Sequence, residues 1–187
     1  MRKSVKIVLT VFAVALIAGF TCFSLVIFDV PGSLATGTHP LPNGAATGKA
    51  IVVYDPGLTG GAKDIATKIG YNLQDAGYDV LLAGVKSSSA ADLSGYDVVV
   101  VGGPIYAGKP ASTIQAYLDS FTPQADAKIG AFDYGSAKID NANQIAVQQD
   151  VAPLPTSSTV TLNAVVKAVT SEDSTTQLQS FVNSLLS

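Results

Sequence analysis

Beyond residue 40 the chain has no histidine and no cysteine, and nowhere does it have a tryptophan. The single histidine, His39, and the single cysteine, Cys22, both precede the first segment with globular patterning. A Ser-His-Asp triad, a Cys-His pair, a His/Cys zinc site, an iron–sulfur cluster and an internal disulfide are therefore excluded from that part. Charge is scarce as well, at 13% of 187 residues against 48% hydrophobic, with a net charge of −3. From Lys49 onward eight lysines face thirteen acidic residues, 8 − 13 = −5, so no basic stripe exists and nucleic acid is not an expected partner. Chemistry in this part of the chain has to come from backbone amides, hydroxyls, carboxylates or a cofactor.

What is present begins with a long hydrophobic run. Arg2, Lys3 and Lys6 lead into an uncharged stretch from Ile7 to Phe28, long enough as a helix to cross a bilayer core. A cleaved signal peptide is the competing reading, with Ser33, Leu34 and Ala35 as a small-x-small site, although its apolar region is usually only about 7 to 15 residues. Residues 1–30 are expected to be a single-pass membrane anchor. The basic residues all precede the span, so the N-terminus is expected in the cytoplasm and the rest outside. Residues 31–48, rich in Pro, Gly, Thr and Ala and without charge, have the composition of a flexible tether.

Residues 49–187 have the size of one domain. Five segments predict strands: Ala50 to Tyr54, Asp79 to Val85, Asp97 to Gly103, Lys128 to Tyr134 and Val160 to Val166. Most are short continuous apolar runs, the pattern of parallel strands buried on both faces. Helical spacing lies between them: Ile65, Ile69, Leu73 and Ala76, closed by Gly77; Ile114, Tyr117, Leu118 and Phe121, opened by Pro110; and Leu178, Phe181, Val182 and Leu185. The stretch 137–157 reads as either a short helix near Asn141 to Gln149 or a long loop. The alternation predicts an α/β fold, a doubly wound parallel sheet with helices on both faces.

Ligands of such sheets bind beyond the carboxyl ends of the strands. After the first strand comes DPGLTGGAKDIA (residues 55–66), a glycine-rich turn whose amides can face an anion or bind nothing at all. The segment GPIYAGKP (residues 103–110) comes within one residue of a nucleotidase phosphate loop, but Pro110 stands where the magnesium-binding hydroxyl belongs. Asp55 and Asp133 are the carboxylates immediately beyond strand ends. They lack a third ligand or a signature spacing, so solvated loop aspartates are the simpler reading.

YDPGLTGGAKDIA, DVLLAGV and YDVVVVGGPIYAGKP, taken together, resemble the flavodoxin family. The likeness is to its short-chain members related to flavin-dependent protoporphyrinogen oxidases, and GPIYAG is the strongest match. The resemblance implies a five-stranded sheet of order 2-1-3-4-5 and noncovalent FMN. It implies a phosphate loop at Gly57, Leu58, Thr59, Gly60, Gly61 and Ala62. Flavin-contacting loops follow at Pro104, Ile105, Tyr106, Ala107 and Gly108, and at Asp133, Tyr134 and Gly135. Thr59 and Gly60 match the central Thr-Gly of the family's phosphate loop, whereas Gly57 and Ala62 replace its flanking hydroxyl residues. The function implied is electron transfer with a redox partner protein, or an oxidoreductase using a membrane quinone or a porphyrinogen. The alternative is a flavodoxin fold without FMN that serves as a tethered interaction module.

Overall fold

Uninterrupted runs of Val, Ile and Ala can be buried on both faces only inside a sheet covered by helices on each side. The computed structural model describes residues 3–27, 29–156 and 158–187, and there the apolar runs beyond residue 48 are parallel strands of one sheet. In chain order the elements are α1 (Lys3–Ile27), α2 (Val30–Ser33), β1 (Thr38–Leu41), β2 (Gly48–Tyr54), α3 (Gly61–Asp75), β3 (Tyr78–Gly84) and α4 (Ser88–Ala91). There follow β4 (Val98–Tyr106), β5 (Lys109–Pro110), α5 (Ser112–Asp119), β6 (Lys128–Gly135), α6 (Gln144–Val151), β7 (Ala164–Val169) and α7 (Thr175–Leu186).

The sheet runs β1-β3-β2-β4-β6-β7, with β5 folded back on β4. Its five parallel strands, β3-β2-β4-β6-β7, have the expected order 2-1-3-4-5. Strand alternation sends Val52, Val100 and Phe132 to one face, under α3 and α7. It sends Val53, Val101 and Ala131 to the other, under α5 and α6. Helix α3 forms because Ile65, Ile69 and Leu73 recur every fourth residue on the buried side. Each contributes about 2 kcal/mol of apolar burial.

Three expectations need correction. The stretch 31–48 is not an open tether: α2 lies in it, and Thr38–Leu41 adds to the sheet edge, antiparallel to β3. Only Leu41 of that strand is buried, and Pro40 is tolerated at an edge, so no apolar pattern announced it. The last strand is Ala164–Val169, displaced from the predicted Val160 to Val166. Pro110 ends the two-residue strand β5, and α5 starts two residues later. The ambiguous stretch holds a helix, at Gln144–Val151.

Helix α1 contains an apolar stretch, Val5–Leu25, of 21 residues, long enough to cross a bilayer. One residue separates α1 from Asp29, which is buried. Asp29 Oδ2 accepts hydrogen bonds from Ser112 Oγ at 3.2 Å, Thr113 N at 3.0 Å and Thr113 Oγ1 at 2.8 Å. Helix α5 has alanine at its own N-cap and receives this carboxylate instead, which satisfies the first-turn amide of Thr113 and complements the helix dipole. A cut after Ala35 would remove this cap together with the buried Gly32 and Ala35.

Candidate functional site

The first strand-end loop leaves β2 through Asp55 and reaches α3 by way of two left-handed glycines, Gly57 at φ 69° and Gly60 at φ 78°. Side chains are strained at such angles, which is why glycine stands at both. Gly57 N donates to Asp55 Oδ1 at 2.8 Å, and Leu58 N donates to the Tyr106 hydroxyl at 2.9 Å. Thr59 Oγ1 lies 3.5 Å from Gly61 N, which donates to it. Behind the loop, the first-turn amides of α3 have no carbonyl within the helix to donate to.

The second loop is a hairpin. Ile105 pairs with Pro110 and Tyr106 with Lys109. Ala107 and Gly108 form its two-residue tip, with φ of 50° and 77°. Two positive φ values make this a type I′ turn, unfavourable for the alanine. The third loop begins at Tyr134. Tyr106 packs against the core of one sheet face and Tyr134 against that of the other, so both rings reach over the carboxyl edge of the sheet.

Between them lies a cavity of about 250 Å³ lined by Gly57, Leu58, Thr59, Ala62, Tyr106 and Tyr134, with Pro104, Ile105, Gly135, Ser136 and Thr170 completing its wall. The loops implied by sequence thus meet. Gly60 and Gly61 stand beside this cavity at the start of α3, and a Cβ at Gly61 would strike the Tyr134 ring. Ala107 and Gly108 do not line it; they form the exposed hairpin tip. Asp133 does not line it either, because strand alternation turns it to the face opposite Tyr134, where it is fully buried. Ser136 and Thr170 were missed. Thr170 follows β7 directly, and the displaced assignment of that strand hid it. A larger hollow of about 580 Å³ lies at the other end of the sheet, lined by residues 121–129 and 159–163, away from these loops.

Three buried carboxyls, Asp29, Asp55 and Asp133, stand behind the site. Thr113 Oγ1 lies 2.5 Å from Asp55 Oδ2 and 2.8 Å from Asp29 Oδ2. One hydroxyl has one proton to give, so a carboxyl must supply the other. Burial pushes Asp55 up to about 6, against the pull of the Thr113 hydroxyl and the Gly57 amide, and Asp29 nearby pushes the same way. Among the described residues neither oxygen of Asp133 has a well-formed hydrogen bond, the Gly103 backbone amide being only a loose neighbour. Burial, then Asp150, raises it well above its ordinary value, opposed by Lys167 and the Gly103 amide. Lys167 pairs with Asp150.

The fit to a flavin mononucleotide can be judged from these groups. The cavity is smaller than the ~300 Å³ at which ligand pockets begin, because the two tyrosine rings occupy the space between the loops. Both are ends of rotatable side chains. Turned outward, they leave a glycine-lined cradle at a helix N-terminus and two aromatic faces, which suits a phosphate and a planar ring. Thr59, the loop amides and α3 would hold the phosphate, and Tyr106 and Tyr134 would border the ring.

No protein-family model matches the chain, and neither does any curated protein. Solved structures do match. A flavodoxin from Streptococcus pneumoniae TIGR4 is 19% identical, with a TM-score of 0.57, over 74% of this chain and 97% of its own. Oxidised flavodoxin 2 from Bacillus cereus is 17% identical, with a TM-score of 0.51, over 74% and 97%. A flavo di-iron protein from Thermotoga maritima is 12% identical, with a TM-score of 0.52, over 75% of this chain and 35% of its own. The likeness is one of fold: residues beyond α1 adopt the flavodoxin-like architecture.

Proposed function

We propose that this chain is a membrane-anchored flavodoxin-like protein that binds FMN between Tyr106 and Tyr134 and takes part in electron transfer. The observation that supports it most is the convergence of three strand-end loops on one cleft at the N-terminus of α3. FMN, when bound, supplies the electron chemistry. The protein's share is to orient it. Gly57 and Gly60 let the loop backbone approach the phosphate, Thr59 adds a hydroxyl, and the rings exclude water from one edge. Breaking the bond from Leu58 N to the Tyr106 hydroxyl to admit the ligand costs about 1 kcal/mol. Residues 1–30 are the anchor, with the N-terminus cytoplasmic and the domain beyond the membrane. The redox partner is a protein or a membrane quinone, and in the latter case the chain works as an oxidoreductase.

A second reading has its own observation. Tyr106 already satisfies the Leu58 amide and Tyr134 already covers Gly61, as expected of a fold that has given up FMN and serves as a tethered interaction module. A fluorescence titration separates them. Full-length chain in detergent should quench flavin emission saturably at or below tens of micromolar, roughly −6 kcal/mol or stronger. Gly60→Asp should abolish the quenching and Thr59→Ala should weaken it. No quenching in that range leaves the interaction module.

A further inference from the structure

The anchor has no slack. From Ile27, the last residue of α1, to Asp29 is two peptide steps, at most about 7 Å, and Asp29 is fixed on the N-terminus of α5. Gly32 then packs so closely on Asp55 and Thr113 that a Cβ there would overlap both. Asp55 follows β2 and Thr113 lies at the start of the helix after β4. The chain therefore leaves α1 beside the loops that form the cleft, at the carboxyl end of the sheet.

Two further features mark that end. Among the described residues, the large exposed apolar side chains outside α1 are Leu34, Leu58, Tyr71 and Ile145. Leu58 sits in the first site loop, and Leu34 (73% exposed) lies between the buried Gly32 and Ala35 in the segment packed on it. Charge divides the same way. The loops and helix ends at the amino end of the strands carry Asp75, Asp79, Asp92, Asp97, Asp119 and Asp126 against Lys49 and Lys128, 2 − 6 = −4. At the carboxyl end the exposed charges cancel, Lys63, Lys86, Lys109 and Lys138 against Asp64, Asp140, Glu172 and Asp173, 4 − 4 = 0, while Asp29, Asp55 and Asp133 lie buried beneath the rim. An anionic lipid surface repels the first end and tolerates the second.

We propose that the carboxyl-end rim rests on the bilayer surface, with Leu34 and Leu58 entering the headgroup region and the cleft opening toward lipid. This rests on the reading of α1 as a membrane span and deepens the proposed function. It makes the partner a lipid-dissolved redox carrier of the quinone class, reached through the interface. A soluble protein approaching from the far, acidic end would not reach the cleft between Tyr106 and Tyr134.

The chain lacks tryptophan, so single substitutions report position directly. Leu34→Trp, Leu58→Trp, Phe20→Trp and Ala125→Trp, each in full-length chain reconstituted into nanodiscs of anionic brominated lipid, are compared with unbrominated discs. Side chains in the headgroup and upper acyl region should be quenched about twofold. Phe20→Trp and both leucine replacements are expected to be quenched, and Ala125→Trp, at the opposite end, unchanged. Quenching of Phe20→Trp alone overturns the docked rim and leaves the anchor standing, as does equal quenching of Ala125→Trp. No quenching of Phe20→Trp overturns the anchor and the rim together. Flavin binding is measured separately and is untouched by any of these results.

Discussion

Asp55 and Asp133 are both fully buried at the carboxyl end of the same sheet, yet their surroundings differ in kind. Asp55 accepts from the Gly57 amide, and its Oδ2 and that of Asp29 both meet the Thr113 hydroxyl. Its burial joins the first site loop to α5 and to the segment leaving α1. Asp133 has no well-formed hydrogen bond; it stands opposite Lys167 in the register of β6 and β7, and Lys167 pairs with Asp150. One carboxyl is a joint. The other is a carboxyl whose burial favours its protonated form, beside an ion pair that already has its anion. Equal burial thus carries opposite consequences for stability, and substitutions should separate the two.

The largest effect should come from the ion pair itself. Lys167→Met should destabilise the domain by about 3 kcal/mol, because it leaves the half-buried Asp150 carboxylate without its partner; denaturant unfolding followed by circular dichroism measures this. Asp55→Val and Asp133→Val sharpen the contrast. The first should cost about 2 kcal/mol by stranding Thr113, the Gly57 amide and Asp29, whereas the second should be neutral or stabilise by about 1 kcal/mol by removing an unpartnered polar group.

The pH dependence has a definite sign. Both acids are raised, so the folded chain holds their protons more tightly than the unfolded chain does. The resulting stabilisation is complete below about pH 4, and for Asp55 it is lost as pH rises through about 6. Asp133, also raised, contributes with the same sign. Asp92 and Asp173, lowered by the hydroxyls and amides of Ser94 and Thr175, act in the opposite direction at the surface. Melting temperatures of wild type and Asp55→Asn should therefore converge or cross between pH 4 and pH 7, and parallel curves would show that Asp55 is not protonated in the fold. The smallest effect belongs to the hairpin tip: Ala107→Asn restores the Asn-Gly pair a type I′ turn favours and should stabilise by about 0.5 kcal/mol.

The parallel sheet was legible because buried strands spell continuous apolar runs, and the three loops because ligands of such sheets sit beyond strand ends. Strand β1 was hidden, since an edge strand needs little apolar surface and THPL buries only Leu41. The last strand was displaced because Lys167 lies in its middle, and no apolar reading puts a lysine at 2% exposure. Its partner Asp150 comes from α6, a contact between distant segments that spacing does not reveal. The direction of Asp133 follows from strand period alone once the end of β6 is known. That the two tyrosines lean into the cleft, one from each face of the sheet, is a matter of tertiary packing and leaves no local trace.

The most direct test of the flavin cleft follows the amides that would hold the phosphate. In isotope-labelled full-length chain in nanodiscs, the resonances of Leu58, Thr59, Gly60 and Gly61 should shift saturably on adding FMN up to tens of micromolar. The Leu58 amide should move farthest as it exchanges the Tyr106 hydroxyl for phosphate. Unmoved resonances at these four positions, with Leu58 still bonded to Tyr106, would contradict the account.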